Sequence, residues 1–186
     1  MKKVFLITLF LFSSLKVHSL EVTLTQGSVK PTPIAVTELY SKNSQLTKVG
    51  KNISTVISDN LERSGLFLPI DKRSFIQDNE SLSNKPRFED WKLIKAQHLV
   101  SGKISANNGK ISVEFRLFDV FQQKQIVGKK YETNEKNWRR VAHIISDSIF
   151  KNITGEGGYF DTRIVYVAET GPKENKQKRL AIMDQD

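Results

Sequence analysis

A chain of 186 residues that is 38% hydrophobic and 26% charged has room for one domain with a core of its own, and for a piece of a second. It contains no cysteine, which excludes disulfides, thiolate metal sites and cysteine nucleophiles. Its 29 basic residues against 20 acidic give a net charge of +9, but the surplus is spread over Lys48, Lys51, Lys129, Lys130, Arg139, Arg140 and the run 173–179. A nucleic-acid site would concentrate such charge on one face with aromatic stacking groups between, so the surplus reads as a solvated surface.

The chain opens on Lys2 and Lys3, and residues 4–15 are apolar apart from Thr8, Ser13 and Ser14. That run is too short to span a bilayer and suits the hydrophobic region of a secretory signal. The small-residue rule places the cut after Ser19, with Val17 two residues before it, so residues 1–20 read as a signal peptide and the mature chain begins at Leu20 or Glu21. Lys2, Lys3 and Lys16 leave with it, which reduces the balance to 26 basic against 20 acidic residues, a net +6. No later segment is apolar for long enough to cross a membrane.

Glu21-Val22-Thr23-Leu24-Thr25-Gln26 alternates strictly and sets Val22 and Leu24 on one face of an extended strand. Gly27, Ser28, Pro31, Thr32 and Pro33 are expected to end regular structure, so residues 21–33 read as a strand on a tether. A second short strand is expected over residues 34–40. Leu46, Val49, Ile53, Val56, Ile57 and Leu61 then recur at helical spacing, with Ser44 as N-cap and Gly65 as the left-handed stop. Residues 66–70 read as a strand ending near Pro69, residues 71–86 as a loop with at most a helical turn, and residues 88–95 as a short helix with Trp91 and Ile94 inward.

The plainest hairpin follows. A strand over residues 98–105 reverses at Asn107-Asn108-Gly109 into residues 110–120, where Ile111, Val113, Phe115 and Leu117 share one face and Ser112, Glu114 and Arg116 the other. Residues 125–133 add a third antiparallel strand. A second amphipathic helix over residues 135–152 carries Trp138, Val141, Ala142, Ile145 and Ile149 on its stripe, with Gly155 beyond its end. This order predicts an α+β fold over residues 34–155, a small mixed sheet with two amphipathic helices on one face. Glu156-Gly157-Gly158 reads as a hinge-like boundary. The strand of residues 162–168 and the start of another at Leu180-Ala181-Ile182-Met183 cannot close a core between them, so residues 156–186 read as the opening of a second, β-rich domain that is cut short.

No active site is legible. His98 and His143 are the histidines of the mature chain, and no metal-ligand spacing joins them to carboxylates, so each reads as a structural histidine. Asp147 follows His143 by one helical turn, which suggests a hydrogen-bonded pair. Neither the glycines nor the serines form a phosphate or nucleophile motif. No metal, cofactor or catalytic residue is expected. Asn52-Ile53-Ser54 and Asn152-Ile153-Thr154 match the glycosylation pattern by chance, since both fall on predicted helices.

The pattern resembles the TolB family, periplasmic components of the Tol-Pal envelope system of Gram-negative bacteria. The residues that carry the resemblance are Glu21-Val22 after the signal, Ser64-Gly65-Leu66-Phe67 with Pro69-Ile70-Asp71, Val100-Ser101-Gly102, Asn108-Gly109 before Val113-Glu114-Phe115-Arg116-Leu117, and Thr162-Arg163-Ile164-Val165-Tyr166-Val167. It implies an N-terminal α/β domain followed by a β-propeller, of which only the first strands are present here. It further implies a non-enzymatic periplasmic adaptor that links TolA, through Glu21, Val22, Thr23, Leu24, Thr25 and Gln26, to Pal, through the largely missing propeller. The implied role is drawing in the outer membrane during cell division and keeping it intact. By their alternation alone, residues 21–26 fit either strand addition to a partner's sheet or an edge strand of their own domain. A second reading of the chain is a fragment of an exported hydrolase whose active site lies in the missing C-terminal part.

Overall fold

The computed structural model describes residues 30–185. Strand β1 is Thr32–Val36, helix α1 Ser44–Arg63 and strand β2 Phe67–Pro69. Short helices α2, Asn79–Asn84, and α3, Phe88–Leu93, lead to β3, His98–Asn107, β4, Lys110–Asp119, and β5, Lys124–Thr133. Helix α4, Trp138–Thr154, is followed by β6, Arg163–Thr170, and β7, Gln177–Asp184. The first five strands form one mixed sheet in the order β2-β1-β3-β4-β5, parallel as far as β3 and antiparallel beyond it, and β6 and β7 form a separate antiparallel pair.

That order decides which helices cover which face. The crossover from β1 to β2 steps one way along the sheet and the crossover from β2 to β3 steps back past β1. With both right-handed, α1 falls on one face and the α2–α3 segment on the other. Helix α4 follows the antiparallel hairpins and packs beside α1. Between these two helices and the sheet lies the main core, which includes Ile34, Val36, Ile53, Ile57, Leu61, Val113, Phe115, Leu117, Ile145 and Ile149. The expected mixed sheet with both amphipathic helices on one face is therefore present. Burial of each large aliphatic side chain there stabilises the fold by roughly 1.5–3 kcal/mol.

The opposite face holds a second cluster of Ala35, Leu82, Trp91, Ala96, Leu99, Phe118 and Val120, in which Trp91 is inward as expected while Leu82 comes from the segment 71–86 that reads as mostly loop. Leu82 of α2 is 1% exposed and Trp91 of α3 is fully buried. Gln77 organises the segment: its Oε1 accepts from the Arg87 amide at 2.8 Å and from Trp91 Nε1 at 3.2 Å, and its Nε2 donates to the Lys85 carbonyl at 2.9 Å. Every polar atom of this buried amide side chain is thereby satisfied.

Three boundaries differ from expectation. Asn43, not Ser44, caps α1, its Oδ1 accepting from the Gln45 amide at 2.9 Å. The first strand of the sheet begins at Thr32 and ends at Val36, so it includes Pro33. The Thr32 amide bonds to Leu66 on the β2 side, so alternation turns Pro33 toward β3, where pairing begins only at Ile34 with His98. The missing donor therefore meets no ladder position and costs nothing. Finally, β3 continues to Asn107, and Asn108 and Gly109, at φ +49 and +74, make the tight two-residue turn.

Candidate functional site

The polar features of the helical face converge where the chain leaves α4. After Gly155 the backbone runs back along the helix, and Asp147 receives it: Oδ1 accepts from the Phe160 amide at 2.7 Å and Oδ2 from the Asp161 amide at 3.1 Å. Gly158 lies so close to Asp147 that a Cβ there would stand 2.5 Å from the Asp147 Cα, so only glycine fits. Phe160 is 1% exposed and meets Phe150 edge-on at 5.8 Å. Arg140 Nε lies 3.3 Å from Asp161, and Gln185 Nε2 donates to the Phe160 carbonyl at 2.8 Å. The segment that reads as a hinge is fastened, because glycine serves close approach here as well as freedom.

Beneath this joint is a buried polar group. Asn60, fully buried in the last turns of α1, directs its Nδ2 at His143 Nδ1, 2.9 Å away, and donates to Ser146 Oγ at 3.0 Å. Its Oδ1 accepts from Arg63, whose other guanidinium nitrogen donates to the Gln185 carbonyl at 2.9 Å. His143 is thus met by Asn60 on its Nδ1, and the carboxylate of Asp147 is used by backbone amides. The cleft above, about 340 Å³ and lined by Arg139, Arg140, His143, Asp161, Arg163 and Asp184 among others, brings arginines and aspartates together. Arg163 lies 3.7 Å from Asp184, so two of its cations already face carboxylates.

His98 sits at the start of β3, half-buried opposite Asp119 in the register. Burial pushes its imidazole below the ordinary 6.5, against the weaker upward pull of the Asp119 carboxylate. Among the described residues no group of three or more His, Asp or Glu side chains is placed to hold a metal ion, and no helix is long and apolar enough to cross a membrane.

The β6–β7 hairpin is the other distinctive surface. Ile164, Tyr166 and Met183 share one face and Val165, Val167, Leu180 and Ile182 the other, all between 44% and 79% exposed. Their continuous apolar runs are evident in the sequence, whereas their lack of cover is not. Glu21, Val22, Thr23, Leu24, Thr25 and Gln26, the expected partner-binding strand, lie outside the described residues, as does the signal peptide. The described chain enters at Lys30 and passes directly into β1, the strand flanked by β2 and β3. Sequence reasoning missed the Asp147 joint, for which Gly158 immediately before the aromatic pair Tyr159-Phe160 was the available signal.

Comparison with known proteins places this geometry. The family model of the TolB amino-terminal domain matches residues 20–126. A Tol-Pal system protein TolB from Paramagnetospirillum magneticum is 50% identical over 166 residues, covering 89% of this chain and 37% of the relative. Another, from Pelagibacter ubique, is 46% identical over 192 residues, covering 98% and 43%. The crystal structure of TolB from Acinetobacter baumannii superposes with a TM-score of 0.67 at 24% identity over 83% of this chain and 37% of that one, which shows a shared fold. The chain spans about two fifths of the length of the curated relatives it matches.

Proposed function

The chain belongs to the TolB family, and from that premise we propose that it serves as a non-enzymatic periplasmic adaptor of the Tol-Pal system. In this reading residues 1–20 direct export and are removed. Glu21, Val22, Thr23, Leu24, Thr25 and Gln26 then add as a strand to the periplasmic domain of TolA. Pal is contacted through the propeller, of which residues 156–186 supply the first strands. The protein would connect the two membranes, draw the outer one inward at division and maintain its integrity.

The observation that carries the reading is the family match over residues 20–126, which includes the alternating strand and most of the sheet to which it is tethered. Strand addition fits because backbone pairing gives affinity while Val22 and Leu24 set the register. The test is a calorimetric titration of the C-terminal domain of TolA into the chain, into Thr23→Pro, which removes a ladder donor, and into a chain beginning at Gly27. Binding by the first and loss in the other two is expected. Equal affinity of the chain that begins at Gly27 would sink the assignment.

A further inference from the structure

At the far side of the sheet, β5 is an edge: among the described residues no strand pairs with it beyond β4. It is ten residues long, and about half of its backbone donors and acceptors point outward. Its side chains continue rows that cross three strands. On the face away from α1 and α4, Lys103 of β3 stands opposite Glu114 of β4, with Nζ to Oε2 at 3.3 Å, and Glu114 stands opposite Lys130 of β5. The row reads cation, anion, cation, and its next position is open. On the other face Val127 continues the row of Val100 and Leu117, and Tyr131 that of Ile104 and Val113, both half-buried, with exposed Lys129 between them.

We propose that the β5 edge is a docking site for an extended acidic protein segment, which adds as a sixth strand. The rows specify its pattern: apolar residues opposite Val127 and Tyr131 and acidic residues opposite Lys129 and Lys130, where cross-strand neighbours of opposite charge attract. Lys130 has a carboxylate near it, Glu132 at 3.1 Å, but that pair is half-exposed on both sides and readily exchanged. A second copy of the chain is a poor occupant, because antiparallel pairing of two β5 strands near their centres crowds Lys129 and Lys130 of both copies within a residue or two of one another.

The test uses the full chain and a ten-residue peptide of valines and threonines around a central Glu-Glu, with a Lys-Lys counterpart and an N-methylated form that cannot pair. Affinity is read by fluorescence anisotropy and the site by amide exchange. The acidic peptide is expected to bind saturably and protect β5 amides, and the other two peptides to bind at least about ten-fold more weakly. The double variant K129E/K130E is expected to reverse the preference. Equal binding of the N-methylated form, an unchanged preference in the double variant, or no binding at all would overturn the proposal and leave the lysines as guards of the edge. Protection of β5 before any peptide is added would assign the edge to the chain itself and would likewise overturn it.

Discussion

The five-stranded sheet and the β6–β7 hairpin are both built from strands rich in apolar residues, yet one buries them and the other does not. In the sheet, α1 and α4 close one face and the α2–α3 segment the other, and Leu99, Val113 and Leu117 are fully buried. In the hairpin Val165 is 62% exposed and Leu180 79%. Alternation states that a strand has two faces; only the order of crossovers states what covers them.

Substitutions sharpen the contrast. Trp91→Ala, in the cluster on the second face, should cost about 3–5 kcal/mol, and Ile145→Ala, in the main core, about 2–5 kcal/mol, both read by urea denaturation. A loss near zero at Trp91 would mean that only one face of the sheet is needed. Asp147→Ala leaves the amides of Phe160 and Asp161 without acceptors and should cost about 1–3 kcal/mol. The readout is faster amide exchange at residues 158–162 with β3 and β4 unchanged. Unaltered exchange there would mean that the joint is held by Phe160 packing alone.

The third effect depends on pH. The folded-state pKa of His98 lies below 6.5, so well above pH 6.5 both states are neutral there and stability is flat. Below it the unfolded chain takes up a proton that folded His98 refuses. Stability should then fall by up to about 1.4 kcal/mol per pH unit until the folded pKa is reached. His98→Gln should remove that part of the slope in denaturation curves between pH 7 and 5; an identical slope would sink the assignment. The smallest effect belongs to the hairpin: Leu180→Ser should stay within about 0.5 kcal/mol. A larger loss would show that its faces contribute to folding.

What the sequence made legible follows the range of the forces involved. Helix α1 is plain because Leu46, Val49, Ile53, Ile57 and Leu61 repeat a local period, and the β3–β4 turn because Asn108-Gly109 suits only one geometry. The cap was misplaced by one residue, since Asn43 and Ser44 are both good caps and only the bond to Gln45 decides between them. Pro33 in β1, Gln77 beneath Trp91 and Asp147 under Phe160 depend on partners beyond the neighbouring helical turn, Arg87 and Trp91 for Gln77 and Phe160 for Asp147, and no local pattern records them. The candidate partner strand was legible only by its alternation and its resemblance.

The placement of β1 has a mechanical meaning. The chain enters the sheet at Thr32 between two strands, and β1 runs parallel to both neighbours, paired with β2 at Thr32, Pro33 and Ile34 and with β3 at Ile34, Ala35 and Val36. Tension on the residues before it would pull β1 along its own axis, so both ladders would be loaded in shear and their bonds would have to yield together. A strand at the rim, pulled sideways, would unzip one bond at a time. A domain handled by its N-terminal segment is thus gripped where its sheet resists best.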